Sequence, residues 1–262
     1  MELTRYLTRI CSADQMVRRN ELLTILRELD CPFTHSRDVI EEHRPENIVV
    51  SFHEELFPRL VIGAHYDSVH GSTGANDNGA AVAILLGLLT HLRQVPPKIP
   101  LDLVFFDLEE LGGRGSLAYI ERTSKQHILA MINLDVCGEG DTILYAPRPH
   151  IEAGPLSSPL RAVEQAGQFR SRAVELLPDG DDLSFQQAGL PNISVCILPA
   201  DEVELLITAV DAMRNHRRPE VIPKVMETMH NGPRDTISTV QESAMQTVHQ
   251  WVQAILEHFT WP

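Results

Sequence analysis

Cysteine is scarce and scattered: Cys11, Cys31, Cys137 and Cys196 are the four, with no CxxC pair among them. Cys137 and Cys196 sit inside apolar runs, so all four read as buried thiols of a reducing compartment rather than as a disulfide framework. Long apolar runs are missing as well. The longest lies between Ala80 and Leu89, far short of the roughly 20 residues that cross a bilayer, so no membrane span is expected. The first thirty residues carry charges throughout and hold no apolar block of signal-peptide length, so export is not expected and a cytoplasmic location is. Positive charge is in deficit, with 22 Lys and Arg against 36 Asp and Glu, a formal charge of −14 and a pI near 5.2. Such a chain repels nucleic-acid phosphates and anionic membranes, and neither is an expected partner. Internal repeats and low-complexity tracts are also lacking. The Pro-containing stretches at 96–100, 147–159 and 219–223 are short connections, which leaves one domain over 1–262 with a helical segment, 1–45, packed on it.

What is present is a large apolar content, 43% of 262 residues, enough for a substantial core. The patterning predicts an amphipathic helix from about Ala13 to Leu29 with Ser12 as its cap. Strands follow at "NIVVSF" (47–52) and "RLVIGAHY" (59–66), then a helix from about Asp77 to Arg93 and the buried strand "LDLVFFDL" (101–108). A helix near Gly115–Arg122 precedes strands "AMINLDV" (130–136) and "TILYA" (142–146). A helix near Ser158–Gly167, a helical turn at Asp182–Ala188, the strand "NISVCIL" (192–198) and helices at Glu202–Met213 and Thr239–Phe259 complete the order. Strands alternating with helices predict an α/β fold, a three-layer αβα sandwich around a mixed, largely parallel sheet. In such sheets ligands bind beyond the carboxyl ends of the strands.

Those strand ends carry His65 and Asp67, then Glu109 and Glu110, then Asp135. Taken alone, each has an ordinary explanation. Asp77, ahead of an apolar helix, could be an N-cap, and the two glutamates a solvated loop. Together they place imidazole and carboxylates on one rim, where several carboxylates cannot all stay ionised without a cation. The mixture of imidazole and carboxylate without thiolate suits zinc, with manganese or cobalt also compatible, and disfavours calcium and magnesium. Adjacent glutamates after a buried strand point differently, so one can ligate while its neighbour handles protons. His35, His43, His53, His91, His127, His150, His216, His249 and His258 lack such company and read as surface or packing residues.

The stretches "GAHYDS", "GANDNGAAVA", "FFDLEELGGRGS", "INLDVCG" and "MHNGPRDT", in that order from about residue 47 onward, resemble the successive motifs of the zinc aminopeptidase family that also contains the glutaminyl cyclases. The resemblance implies two zinc ions bridged by Asp77, with Gly74 and Gly79 giving the backbone room. It implies His65 and Asp135 as the other ligands of one ion and Glu110 and His230 as those of the second. Glu109 would be the general base and Asp67 the carboxylate that orients His65. The implied reaction removes residues from peptides with a free N-terminus. A glutaminyl cyclase using the same ligands with one zinc is the alternative, and a non-catalytic domain of the same fold a remote one. Three departures stand out. His230 to Asp235 is one residue longer than the usual spacing, "DGDDLSF" stands in place of a Ser-Asp-His sequence so that only Asp182 carries over, and no tyrosine matches the family's oxyanion donor. The loops at 145–156, 178–185 and 199–229 are expected to shape the substrate pocket.

Overall fold

The computed structural model describes residues 3–148 and 154–259. Its strands are β1 (Thr34–His35), β2 (Ile48–Phe52), β3 (Arg59–His65), β4 (Leu101–Phe106), β5 (Ile128–Leu134), β6 (Thr142–Arg148), β7 (Ser171–Ala173) and β8 (Asn192–Leu198). They form one sheet in the order β1-β2-β4-β3-β5-β8-β6-β7. The central pairs β4·β3, β3·β5 and β5·β8 are parallel, as is β6·β7 at one edge, and the remaining pairs are antiparallel. The expected mixed, largely parallel sheet is therefore present. Although 47–52 and 59–66 are neighbours in sequence, β4 lies between them.

The central strands read as unbroken apolar runs because helices cover both faces. Leu60, Ile62 and Ala64 of β3, with Leu103 and Phe105 of β4, enter one core, whereas Val61, Val104 and Phe106 enter another on the opposite face. The first core is closed by α1 (Leu3–Ile10), α2 (Gln15–Glu28), α3 (Ala80–Gln94), α5 (Ser157–Ala166) and α8 (Glu242–His258). The second is closed by α4 (Arg114–Thr123) and α6 (Asp182–Gln187), and α7 (Val203–Arg214) packs over Leu144, Cys196 and Leu198 beside it. All four cysteines are free. No described helix is long and apolar enough to cross a membrane.

Local chemistry moves several expected boundaries. The predicted first helix starts at Gln15, capped by Asp14, whose carboxylate accepts from the N–H groups of Met16 and Val17; Ser12 instead accepts from the Asp14 N–H. Ahead of it, α1 is a helix that the residue pattern did not suggest. Its first N–H groups, Leu3 and Thr4, donate to the Glu242 carboxylate at the start of α8. The helix predicted from Asp77 begins three residues later, at Ala80. Residues Ala75–Gly79 form a separate π-type turn in which Asp77 is non-helical (φ −113°, ψ 82°), so Asp77 is not the cap of α3.

Candidate metal centre and active site

Every group singled out at the strand ends except His230 comes from the carboxyl edge of β3, β4 or β5 or from the turn ahead of α3. His65, the last residue of β3, is buried, and its Nε2 lies 3.3 Å from Asp77 Oδ1, 3.7 Å from Asp135 Oδ1 and 3.9 Å from Glu109 Oε2. On the other side of the ring, Nδ1 lies 3.1 Å from the Asp67 main-chain carbonyl and 3.4 Å from its carboxylate. The Asp67 carbonyl thus supplies the hydrogen bond that orients the imidazole. The Asp67 carboxylate accepts from the Glu109 and Glu110 N–H groups at 3.1 and 3.2 Å and holds the glutamate loop against β3.

The turn that carries Asp77 is held from three directions. Asp235 accepts the Asn76 N–H at 2.8 Å, the Asp77 N–H at 3.3 Å and the Ser72 hydroxyl. Asn78 donates to the Leu134 carbonyl at 2.9 Å, and Asn76 donates to Thr228 and accepts from Gly138 N–H. Beneath it, buried Arg18 of α2 donates to the carbonyls of Tyr66, Thr73 and Gly74. Gly74 is in the left-handed region, and a Cβ there would lie 2.7 Å from the Arg18 guanidinium. The Asp77 carboxylate is left facing two ways: Oδ1 toward His65, and Oδ2 accepting the His230 N–H at 2.9 Å.

His230 reaches the rim through its longer loop. It and Asn231 are both left-handed (φ 48° and 61°), and Gly232 packs so closely on the Glu227 backbone that a Cβ would lie 2.1 Å from its carbonyl oxygen. The imidazole is 69% exposed, with Nε2 4.0 Å from Glu110 Oε2. It is the loosest member of the group. His216 is exposed at the end of α7, its N–H on the Met213 carbonyl. His150, with the centre of the 145–156 loop, lies outside the described residues.

The electrostatics show a cluster in want of positive charge. Burial pushes Glu109 up to about 10 and Glu110 up to about 8, with neighbouring carboxylates adding to the effect and His65 opposing it. Asp135 is raised by burial as well. Burial opposes charge on His65, yet Glu109, Asp135, Asp67 and Asp77 together raise it well above the usual histidine range. Asp77 stays below its ordinary value because His65 and the His230 N–H outweigh its own burial. His65 Nε2 and Asp135 Oδ1 are both buried without a hydrogen-bond partner among the described residues. Two sets of ligand atoms, His65 with Asp77 and Asp135, and His65 with Glu109 and Glu110, each converge within 4.8 Å.

One acid was overlooked. The family resemblance pointed to Asp182, but its carboxylate accepts the Gly180 N–H at 3.2 Å. Its neighbour Asp181 is buried to the same depth and is pushed up to about 8, chiefly by burial, with His65 opposing the shift and Asp67 and Asp135 adding to it. Among the described residues, neither of its oxygens has a hydrogen-bond partner. "GDDLSF" sets two adjacent acids at the start of α6, and both are buried. Which of them bonds its own turn depends on where α6 begins.

Residues 47–256 match peptidase family M28. The chain belongs to peptidase family M28. Aminopeptidase YwaD of Bacillus subtilis is 28% identical to it over 163 residues, 60% of this chain and 34% of that protein. A vacuolar membrane protease of Clavispora lusitaniae is 35% identical over 108 residues, 40% of this chain and 11% of the relative. The chain thus spans about a third and about a tenth of the lengths of these two relatives. Among solved structures, Porphyromonas gingivalis glutaminyl cyclase superimposes with a TM-score of 0.70 at 18% identity over 98% of this chain and 96% of its own. BSAP, a zinc aminopeptidase from Bacillus subtilis, gives 0.63 at 22% identity over 80% of this chain and 49% of its own. Identities this low speak for the M28 fold alone.

Proposed function

We propose that this M28 protein is a zinc aminopeptidase that releases N-terminal residues from peptides. The observation that carries the reading is the buried His65 Nε2 and Asp135 Oδ1, which have no hydrogen-bond partner among the described residues, with His65 Nε2 3.3 Å from Asp77 Oδ1 and 3.7 Å from Asp135 Oδ1. An imidazole and carboxylates so placed fit a divalent ion better than they fit one another. His65, Asp77 and Asp135 would hold one zinc, and Asp77, Glu110 and His230 a second. Bound zinc lowers the pKa of a water and polarises the scissile carbonyl.

The remaining chemistry belongs to the chain. Glu109 accepts the proton of the attacking water and passes it to the leaving amine. Asp67 keeps the glutamate backbone in place through the two N–H bonds described above. The excess of carboxylates attracts a protonated α-amine to the rim, which confines cleavage to the first residue. A pocket of about 430 Å³ opens next to His230, with Leu176, Leu183, Val210 and Met213 in its wall beside Asp179, Gln186 and Arg214, and it shares Leu177 and Pro178 with a cavity of about 20 Å³ beside Asp135 that is too small for a side chain. The apolar part of that wall suits an apolar first side chain.

The cyclase alternative stays in view because the Porphyromonas gingivalis enzyme shares the fold over nearly its full length. Mass spectrometry on zinc-reconstituted protein separates the two. An unblocked peptide starting with leucine should lose that residue while its N-acetylated form stays intact. Loss of ammonia confined to peptides starting with glutamine would replace the peptidase with a cyclase.

A further inference from the structure

A second pocket, of about 420 Å³, adjoins the acidic rim at Asp67 and Glu110 rather than at Asp135 and His230. Its lining comes from the first turns of α2, with Gln15, Met16 and Arg19, and from the segments after β3 and β4, with Val69, Leu108 and Leu111 beside His70 and Asp107. Its volume lies within the roughly 300–1,000 Å³ typical of ligand pockets. The helical wall is fixed to the floor: Gln15 donates to the Ser68 carbonyl at 2.6 Å and to its hydroxyl at 2.9 Å, and the Val69 N–H donates to Glu110 Oε1 at 3.2 Å. Pocket and Glu110 therefore share one rigid strip of backbone.

One feature points to a ligand. Met16 is 62% exposed and Leu111 51% exposed, two large apolar side chains left open to solvent in the lining of one pocket.

We infer that this pocket receives the part of the substrate downstream of the scissile bond and selects an apolar second residue, with Met16 of the N-terminal helix as a specificity-determining side chain. The inference rests on the aminopeptidase reading. With the first side chain held beside Asp135 and His230, and Glu109 beneath the scissile bond, the leaving chain departs past Glu110 and Leu111 into the pocket. The wall that chooses the second residue then lies outside residues 47–256, the stretch that matches the family.

The test compares trileucine with leucinamide, which has no second residue, on zinc-reconstituted wild-type protein and Met16→Glu. The ratio of kcat/KM for trileucine over leucinamide should fall about tenfold in the variant, the scale of one lost apolar contact in a pocket. An unchanged ratio overturns the inference. A second readout is independent of turnover: the ε-methyl carbon resonance of Met16, assigned by its absence in Met16→Glu, should shift on adding trileucine and stay in place with leucinamide. If the wild type cleaves neither compound the aminopeptidase reading fails, and the methyl resonance alone decides the pocket. A trileucine-specific shift then supports it as a peptide site, and no shift overturns it.

Discussion

β3 and β4 carry buried charge at both ends, and the two ends are built on different principles. At the amino ends, Arg59 and Asp102 lie 2.7 Å apart with side chains 3% and 6% exposed. Their hydrogen bonds are complete: Arg59 also donates to the carbonyls of Phe52, His53, Leu56 and Leu101, and Asp102 also accepts from Ser51 and Tyr119. At the carboxyl ends, His65 faces Asp77, Glu109 and Asp135, with atoms left unpartnered among the described residues and several acids raised by burial. Same strands, same depth and opposite bookkeeping of charge: the first end is finished by the chain itself, whereas the second keeps unpartnered atoms that the proposed zinc would occupy. A saturated buried pair belongs to the fold, and an unsaturated buried cluster belongs to the chemistry.

The comparison is broken most forcefully at the finished end. Asp102→Ala leaves a buried guanidinium unpaired and should cost about 3–5 kcal/mol in urea denaturation, while zinc stoichiometry of the folded protein is unchanged. A loss below about 1 kcal/mol would mean that Arg59 finds solvent. Next comes the base. Glu109→Gln should reduce kcat roughly a hundred- to a thousand-fold with both zinc ions retained, because an amide cannot take the water's proton. Glu110→Gln should instead weaken zinc binding, so the two variants separate in a metal titration with a turnover assay. Near wild-type turnover in metal-loaded Glu109→Gln would assign the base elsewhere.

His230→Ala should have a smaller effect, because its imidazole is the most exposed member of the rim. About tenfold weaker binding is expected at one zinc site, with the other unaffected, read by calorimetry. Unchanged affinity and stoichiometry would remove His230 from the ligand set. The smallest effect expected is on stability against pH. Glu109, Glu110 and Asp181 have ordinary values of 4.5, 4.5 and 3.8 and are raised in the fold to about 10, 8 and 8. Between those limits the native state holds more protons than the unfolded chain, so metal-free protein should lose stability as pH rises from about 4 through 8 and on towards 10. A fall of about a few degrees in Tm from pH 6 to pH 8 is expected by differential scanning calorimetry, and saturating zinc should remove it. A metal-free Tm that rises over that interval would contradict the charge assignment.

Much of the site was legible because strand ends are marked in sequence by the point where an apolar run gives way to acids and imidazole. His65, Glu109 with Glu110, and Asp135 follow that rule in β3, β4 and β5. The rule could not specify how Asp77 is used. Its backbone is shaped by Asp235, Asn76 and Asn78 acting across distances of 56 to 159 residues along the chain. Nor could it separate Asp181 from Asp182, both of them buried, since which of the two accepts from its own turn depends on where α6 begins. The double role of Asp67, carbonyl to His65 and carboxylate to the glutamate loop, needs the β3–β4 register to be known.

By itself the sequence determined the alternation of strands and helices, the strands buried on both faces and the rim on which the acids fall. Each of these follows from local periodicity and from the cost of burying polar groups. Tertiary structure alone decided the rest: the helix α1 whose first N–H groups are satisfied by Glu242, the strands β1 and β7 that exist only by pairing at the sheet edges, the two-sided presentation of Asp77, and the pocket between α2 and the Glu110 loop. All of them depend on groups far apart in the chain, whose partners are set by packing and carry no periodicity of their own.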